Sequence, residues 1–254
     1  MRAELAARLA WQARAAFVIA KKDALVYYLK PPVVTFGIVF PVFFFLAFAA
    51  GRTLAPESLV PGIVAMALFF TASAIGPLVT PWERQAKTYE RLVTSPASLG
   101  AILAGDALAG AVFGAVLTLM PIALGVAATP AAIARPAELA LSVVFGAAAF
   151  SALGVLLAAP ATDTPSQVMM LSNLVRLPLI FVSGVFVPHA EMPSWGQSLA
   201  PLSPLSYAAD LIRVGFGQAA YFGVASDVAA LAVFAVFFLG AARLFHARGR
   251  ARGR

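Results

Sequence analysis

The feature that most constrains this chain is a series of long stretches without any charged residue. No Asp, Glu, Lys or Arg occurs in residues 31–51, 58–82, 107–134 or 139–162. Each stretch has the length of about 20 residues that a helix needs to cross a bilayer core of about 30 Å. Charged residues make up only 11% of the chain, against about 25% in soluble domains. We therefore predict an integral membrane protein, and we exclude a disordered chain and a nucleic-acid-binding module.

The apolar stretches predict an all-α fold with six transmembrane helices in a single membrane domain, residues 1–254. The predicted spans are residues 32–50, 59–80, 101–126, 138–159, 168–188 and 222–243. An even number of crossings places both ends of the chain on the same side of the membrane.

The basic residues predict which side that is. With both ends inside, the inner segments carry 13 of the 18 Lys and Arg residues, whereas the outer segments carry only Arg52, Arg135 and Arg213. Lys and Arg concentrate in cytoplasmic segments of membrane proteins. We therefore expect a multi-pass protein of the plasma (inner) membrane with both termini in the cytoplasm.

Both terminal segments are basic. Residues 1–30 mix Ala, Leu and Trp11 with Arg, Lys and Glu, which favours an amphipathic helix on the inner leaflet. A basic leader that only sets the topology is the alternative. Residues 244–254 are predicted to be a solvated basic tail that is attracted to anionic lipid.

The sequence contains none of the residue groups that catalysis would need. There are no cysteines, and no predicted span contains a histidine or a pair of carboxylates. Neither a glycine-rich phosphate-binding loop nor a metalloprotease motif is present. We therefore expect a non-enzymatic protein that binds no cofactor, metal or nucleic acid and does not itself hydrolyse ATP.

Among the ionisable residues within predicted spans we single out two, Asp106 in the third and Arg176 in the fifth. Charged groups are costly in hydrocarbon, and an ion pair between these two residues would lower the cost of both. The alternative is that Arg176 binds backbone carbonyls while Asp106 caps its helix. Either interpretation makes the two residues structural.

The connection between spans two and three predicts a short amphipathic helix over residues 82–95. Trp82, Ala86, Tyr89 and Leu92 recur at helical spacing and would share one face. The polar face would carry Glu83, Arg84, Lys87, Glu90 and Arg91. Such a helix could dock a cytoplasmic partner or simply rest on lipid headgroups.

Residues 189–221 are too apolar for an ordinary loop, yet prolines interrupt them repeatedly. We predict short helices packed at the outer face of the membrane, in part re-entrant. His189 is interpreted as an interfacial polar residue because no metal-ligand partner lies near it in the sequence.

At these two segments the sequence resembles the permease subunits of type-2 ABC exporters, such as the daunorubicin-resistance and polysaccharide or lipooligosaccharide export permeases. The connection between spans two and three resembles the pattern E-R-E-x-G-T-x-E-x-L-x-x-S-P, with Gln85 and Lys87 in place of the usual acid and glycine. The outer segment resembles L-S-G-x-x-x-P…M-P…P-L-x-Y…D-x-x-R. The matching outer residues are Ser183, Gly184, Pro188, Met192, Pro193, Pro204, Leu205, Tyr207, Asp210 and Arg213.

The resemblance implies a transporter built from two copies of this permease and two copies of a separate ABC ATPase subunit, which would bind ATP and Mg. The residues expected to couple the permease to that ATPase are Glu83, Arg84, Lys87, Thr88, Glu90 and Arg91. Spans two and five would line the translocation path, with an outer gate. The residues expected there are Met66, Phe69, Phe70, Ser183, Gly184 and Pro188. Lipid-facing positions are the alternative for the two phenylalanines.

The resemblance leaves the cargo open among small amphiphilic molecules, lipids and glycans. The competing classes are an ATP-independent secondary carrier and a membrane scaffold. The scarcity of intramembrane acids argues against the carrier, and the two motifs argue against the scaffold.

Overall fold

The computed structural model describes residues 2–28, 56–159 and 164–251, together with the single positions Val39 and Phe43. All regular secondary structure in these residues is helical, which confirms the all-α part of the predicted fold class. The first predicted span, residues 32–50, lies outside the described residues apart from those two positions.

Ten α-helices can be assigned in the described residues. They are α1 (Arg2–Asp23), α2 (Pro56–Ser73), α3 (Ile75–Gln85), α4 (Thr88–Val93), α5 (Leu99–Ala128), α6 (Pro136–Leu157), α7 (Pro165–Phe181), α8 (Ser194–Leu199), α9 (Pro204–Gly215) and α10 (Val224–Ala251). A π-helical turn, Ala24–Tyr28, continues α1. Proline occupies the first position of four helices, where its missing N–H has no helical acceptor to lose.

Four helical segments of the described residues are long and apolar enough to cross a membrane. They are Leu59–Gln85 (α2 and α3 together), Leu99–Ala128, Pro136–Leu157 and Val224–Arg248. Their positions match the second, third, fourth and sixth predicted spans. At the fifth, α7 ends at Phe181 rather than at residue 188, because the chain turns through Gly184, whose φ is +76°. The protein is thus an integral membrane protein, and a total of six spans stays a prediction.

Spans two, three and four pack through small residues. A Cβ built on Gly114 of α5 would lie 2.5 Å from Ala72 Cβ in α2, and one on Gly154 of α6 would lie 2.4 Å from the Ser73 carbonyl oxygen. Close backbone approach of this kind drives helix association in lipid, where apolar surface alone gives little preference for protein over lipid.

The outer helix α9 lies within the bundle rather than on its surface. Leu205, Ala208 and Ile212 are fully buried, and the helix packs against α2, α6 and α10. The Ser142 hydroxyl of α6 donates a hydrogen bond of 2.9 Å to the Ala208 carbonyl. The outer segment therefore forms short helices, as its prolines predict.

The basic segment at the C-terminal end belongs to the last helix. We predicted a solvated tail over residues 244–254, but α10 continues to Ala251 and His246 is only 8% exposed. His246 Nδ1 lies 3.2 Å from the Tyr89 hydroxyl of α4. This contact packs the end of α10 against the connection between spans two and three, while Leu244, Phe245 and Arg248 around it are exposed, so a solvated basic tail stays a prediction.

The glycine contacts give a stability prediction. We expect Gly154→Ala to lower the free energy of unfolding by about 1–3 kcal/mol, because its Cβ would meet backbone that cannot move aside. The matched control is Gly240→Ala in α10, where nothing lies within 4 Å of the new Cβ. The control should be neutral or slightly stabilising. Thermal unfolding of both purified variants in detergent measures the difference, and equal midpoints would contradict the packing.

Candidate functional site

A buried polar junction joins the N-terminal helix to the ends of spans two and three. It consists of Lys22 and Asp23 from α1, Glu83 from α3 and Asp106 from α5. The three acids are at most 4% exposed. Lys22 Nζ donates a hydrogen bond to Glu83 Oε1 and lies 2.9 Å from Asp23 Oδ1. Burial alone would lower the pKa of Lys22, but the two carboxylates outweigh it and raise that pKa above its usual value.

The junction separates Asp106 from the partner that the sequence suggested. The charged neighbours of Asp106 are Asp23, Glu83 and Lys22. Arg176 instead donates a hydrogen bond to the Ser73 carbonyl oxygen in span two. The predicted ion pair is therefore wrong. The alternative holds for Arg176, which has a backbone partner, but not for Asp106, because Ser98 caps α5. Asp106 and Arg176 were predicted at a similar depth in the membrane, but they do not face each other, because Asp106 points toward α1.

The sequence did not lead us to recognise Lys22 and Asp23 as part of one polar site. Lys22 was counted only as one of many bases, and Asp23 was not singled out. The signal was a lone acid directly after two lysines at the end of a basic helix. Only the rotational position of α1, set by Ile19 and Ala20 packing against the bundle, turns this pair toward Glu83.

The connection between spans two and three is two helices with a turn, not one continuous helix over residues 82–95. α3 ends at Gln85, and α4 begins at Thr88. Between them Lys87 adopts the left-handed conformation, with φ of 55°. Lys87 stands where the family pattern has glycine, the residue that takes this conformation at the lowest cost. The family glycine was therefore the sequence signal for the turn.

The turn divides the six coupling candidates into two groups. Glu83 is 3% exposed and belongs to the polar junction, while Arg84 lies 5.2 Å from the centre of the Tyr89 ring. The remaining four, Lys87, Thr88, Glu90 and Arg91, are exposed. The Thr88 hydroxyl also donates to the Glu83 carbonyl across the turn, at 3.2 Å. The predicted placement of Glu83 on a solvated face is therefore wrong.

An open groove of about 420 Å³ lies between α1 on one side and the end of α4 with the segment that follows it on the other. We call it the α1 groove. Its lining residues are Trp11, Arg14, Ala15, Val18, Ile19, Arg91, Leu92, Ser95, Pro96 and Ala97. The lining is largely apolar and includes two guanidinium groups. It fits an apolar side chain of a partner that also carries acidic groups.

Hydrogen bonds fix the two walls of the α1 groove relative to each other. Gln12 Oε1 of α1 accepts a hydrogen bond of 2.9 Å from the Ser98 amide. The Ser98 hydroxyl in turn caps α5 by accepting from the Ala101 amide at 3.1 Å. A displacement of the groove would therefore act directly on the first turn of span three.

The proposed outer gate is a tight turn held by an arginine. The Ser183 hydroxyl donates to the Ile180 carbonyl at 2.6 Å. Arg213 of α9 donates a hydrogen bond to the Gly184 carbonyl oxygen. Asp210, one turn earlier in α9, accepts the amides of Tyr221 and Phe222 at 2.9–3.0 Å. The two motif residues Asp210 and Arg213 therefore anchor the loops on either side of α9, while Pro188 is exposed.

His189 lies beneath this turn rather than at an interface with solvent. It is 2% exposed, its ring stacks on Tyr221 at 5.1 Å, and a Cβ on Gly184 would lie 2.5 Å from it. Burial lowers the pKa of His189, Arg213 lowers it further, and Asp210 opposes them in part. The imidazole is therefore a buried neutral ring that supports the turn.

The path residues of span two do not share one surface. Phe69 is fully buried and meets Phe150 of α6 edge-on, with ring centres 5.0 Å apart. Met66 is 5% exposed, and only Phe70 is partly accessible. Phe69 is thus a core residue, so neither a path-lining nor a lipid-facing position holds for it. Helical spacing could not predict that Phe69 is buried. α9 and α6 cover one side of span two, and a helix that is apolar on all sides does not indicate which side is covered.

The described residues form a helical membrane bundle with a turn between α3 and α4 and an anchor made by Asp210 and Arg213. These features are those of a membrane transport component. The family model described as "ABC-2 type transporter" matches residues 14–216. The chain belongs to the ABC-2 type transporter family, as its motifs suggested, and is a transmembrane permease.

Three relatives illustrate the range of the family. The daunorubicin resistance ABC transporter permease protein DrrB1 of Streptomyces coeruleorubidus is 32% identical over 46% of this chain and 41% of its own length. Nodulation protein J of Sinorhizobium fredii is 29% identical over 71% of this chain and 70% of its own length. The inner membrane transport permease YadH of Escherichia coli is 26% identical over 74% and 75%, respectively.

The left-handed Lys87 gives a second prediction. Lys87→Gly should raise the free energy of unfolding by about 1 kcal/mol, because glycine removes the steric cost of positive φ. Lys87→Ala is the control, since it removes the same charge but keeps the Cβ, and it should give no such gain. Thermal unfolding of the permease in detergent separates the two. Equal stabilisation by both substitutions would assign the effect to charge instead.

The buried imidazole gives a third prediction. Because the pKa of His189 is lowered in the folded protein, its contribution to stability is present above the unfolded pKa of about 6.5 and is lost as the pH falls from that value through the lower folded pKa. The hydrogen-exchange protection factors of residues 182–193, which correct the rates for the intrinsic slowing of exchange at lower pH, should therefore fall between about pH 7.5 and pH 5.5. His189→Phe, which keeps an aromatic ring, should remove this fall. An unchanged fall in this variant would exclude His189 as its cause.

Proposed function

We propose that this chain is the membrane-spanning permease of an ATP-driven ABC exporter and that a separate ATPase subunit docks at the α1 groove. The observation that carries the proposal is that α1 and the segment after α4, which lie far apart in the sequence, form one groove beside the polar junction. ATP and Mg would be bound by the ATPase subunit, which is consistent with the absence of a phosphate-binding loop from this sequence.

The four exposed candidates are suited to direct contact with the ATPase. Lys87, Thr88, Glu90 and Arg91 are exposed beside the groove, and Arg91 also lines it. Glu83 and Arg84 act differently in this proposal. They hold the turn and the junction together, so they transmit the movement of the docked ATPase rather than touch it.

The polar junction gives the movement a route into the spans. Lys22 links α1 to Glu83 at the end of span two, and Asp106 of span three lies among the same groups. A push on α1 would therefore act on two spans at once. Breaking a buried charge pair by removing one partner is costly, so the three elements would move together.

Two copies of the permease with two ATPase subunits would complete the transporter, and the path would run between the permeases. In α7, Met170, Leu174 and Phe181 are each about 70% exposed, so this helix offers an apolar face to lipid or to the second copy. Both termini would lie in the cytoplasm, where the basic residues concentrate. The cargo would be a small amphiphilic molecule, a lipid or a glycan.

The proposal predicts which changes disrupt the complex. The permease is co-expressed with ABC ATPase subunits of the same genome, and the co-purifying ATPase activity is measured in nanodiscs. Ala15→Trp, which fills the α1 groove, and Glu90→Lys, beside it, should each reduce the bound ATPase at least about tenfold, which corresponds to roughly 1.4 kcal/mol.

Two matched controls make the test specific. Ala13→Trp places the same side chain on an exposed position of α1 outside the groove, and Glu191→Lys makes the same charge change at the outer segment. Both should retain the ATPase. Loss of the ATPase in the controls as well as the test variants, or in neither group, would contradict docking at this surface. A permease that transports without any ATPase would instead be a secondary carrier.

A further inference from the structure

Span two contains a carbonyl group that cannot be satisfied within its own helix. In a helix the carbonyl of residue 73 accepts the amide of residue 77, but residue 77 is Pro77, which has no N–H. The helix is interrupted at this point, with α2 ending at Ser73 and α3 beginning at Ile75. Ser73 is fully buried, so water cannot replace the missing donor. An unpaired carbonyl in this position would be costly.

Arg176 supplies the missing donor from another span. It lies in the middle of α7, is 6% exposed, and its guanidinium donates a hydrogen bond to the Ser73 carbonyl oxygen. A charged side chain within a span is costly by itself. A hydrogen bond to an ionised donor is also stronger than one between neutral groups. The carbonyl that lacks a donor and the arginine therefore offset each other's cost.

The surrounding backbone keeps this site closed. A Cβ on Gly154 of α6 would lie 2.4 Å from the Ser73 oxygen, and one on Gly76 would lie 2.0 Å from the Gly154 oxygen. The Ser73 and Thr71 hydroxyls bind carbonyls of their own helix at 2.5 and 2.6 Å, a pattern that bends helices. We call Ser73, Ala74 and Pro77 the span-two joint.

The two sides of the span-two joint share α5 and α6 as neighbours and differ in their third neighbour. That third neighbour is the outer helix α9 for α2 and is α7 for α3. Arg176 of α7 therefore links the neighbour of α3 to the last residue of α2.

We propose that Arg176 is a positioning residue that replaces the missing amide of residue 77 and so allows span two to work as two segments. The span-two joint is the point at which movement of α3, whose end carries Glu83, passes to the outer half of the span. This last step rests on the proposed function. The replacement of the amide by Arg176 does not.

A double-mutant cycle tests the replacement. Arg176→Met leaves the Ser73 carbonyl without a donor and should lower the thermal midpoint of the purified permease by about 5 °C or more. Pro77→Ala restores an amide opposite that carbonyl. It should recover at least half of the lost midpoint in the Arg176→Met background while giving little gain in the wild type.

Pro81→Ala is the matched control for the cycle. It restores an amide one turn further along α3, opposite the carbonyl of Pro77 rather than that of Ser73, and should not rescue Arg176→Met. Rescue by Pro77→Ala alone supports the inference. Equal effects of the two proline substitutions, or an unchanged midpoint in Arg176→Met, would overturn it.

Spin labels test the joint itself without any ATPase. The chain has no cysteine, so labels can be placed at Trp82 in α3 and Val144 in α6, which are 47% and 62% exposed. The distribution of distances between the two labels should be at least about 1.5-fold narrower in the Pro77→Ala/Arg176→Met variant than in the labelled protein that keeps Pro77 and Arg176. The reason is that the helix of span two is continuous in the double variant. An equal width would overturn the hinge. If no ATPase co-purifies, the proposed function is contradicted. The double-mutant cycle and the spin-label distances then still decide the role of Arg176.

Discussion

The structure depends on one constraint, which is that the interior of a bilayer offers no water to the backbone. Helices satisfy most backbone groups, and charged side chains meet several of the exceptions. Arg176 donates to the carbonyl of Ser73 at the interruption of span two, and Arg213 donates to that of Gly184 at the turn after α7. Asp210 accepts two amides of the loop before α10. Several of the few buried charges thus complete the backbone where helices stop.

A second group of buried charges connects elements rather than completing them. Lys22 joins α1 to Glu83 and Asp23, and Asp106 brings span three to the same place. A single ammonium group shared among three acidic side chains makes the relative position of α1 and two spans sensitive to any change at the surface. Because the α1 groove lies beside this junction, a partner that fills the groove, as in the proposed function, would act on the spans through charge and not only through packing.

The sequence predicted where the helices lie along the chain better than it predicted which helices pack against each other. Uncharged stretches placed the apolar helices, and prolines placed the breaks of the outer segment. The side of each helix that packs against a given neighbour was less predictable. Phe69 is a core residue, Glu83 is buried, and Asp106 and Arg176 contact different helices. Helical spacing tells which residues share a face, but in a chain that is apolar on all sides it does not tell which helix covers that face.

The distribution of charge also bears on the source of energy. A carrier driven by ions needs ionisable groups that change partners along a path. Among the described residues, Arg176 is bound to backbone and Glu83 and Asp106 are joined to α1 at one end of the bundle. These three groups hold the structure, and in the proposed function energy enters through a surface instead. The α1 groove, the exposed residues of α4 and membership of the ABC-2 family together favour an ATPase at that surface over transport by this chain alone.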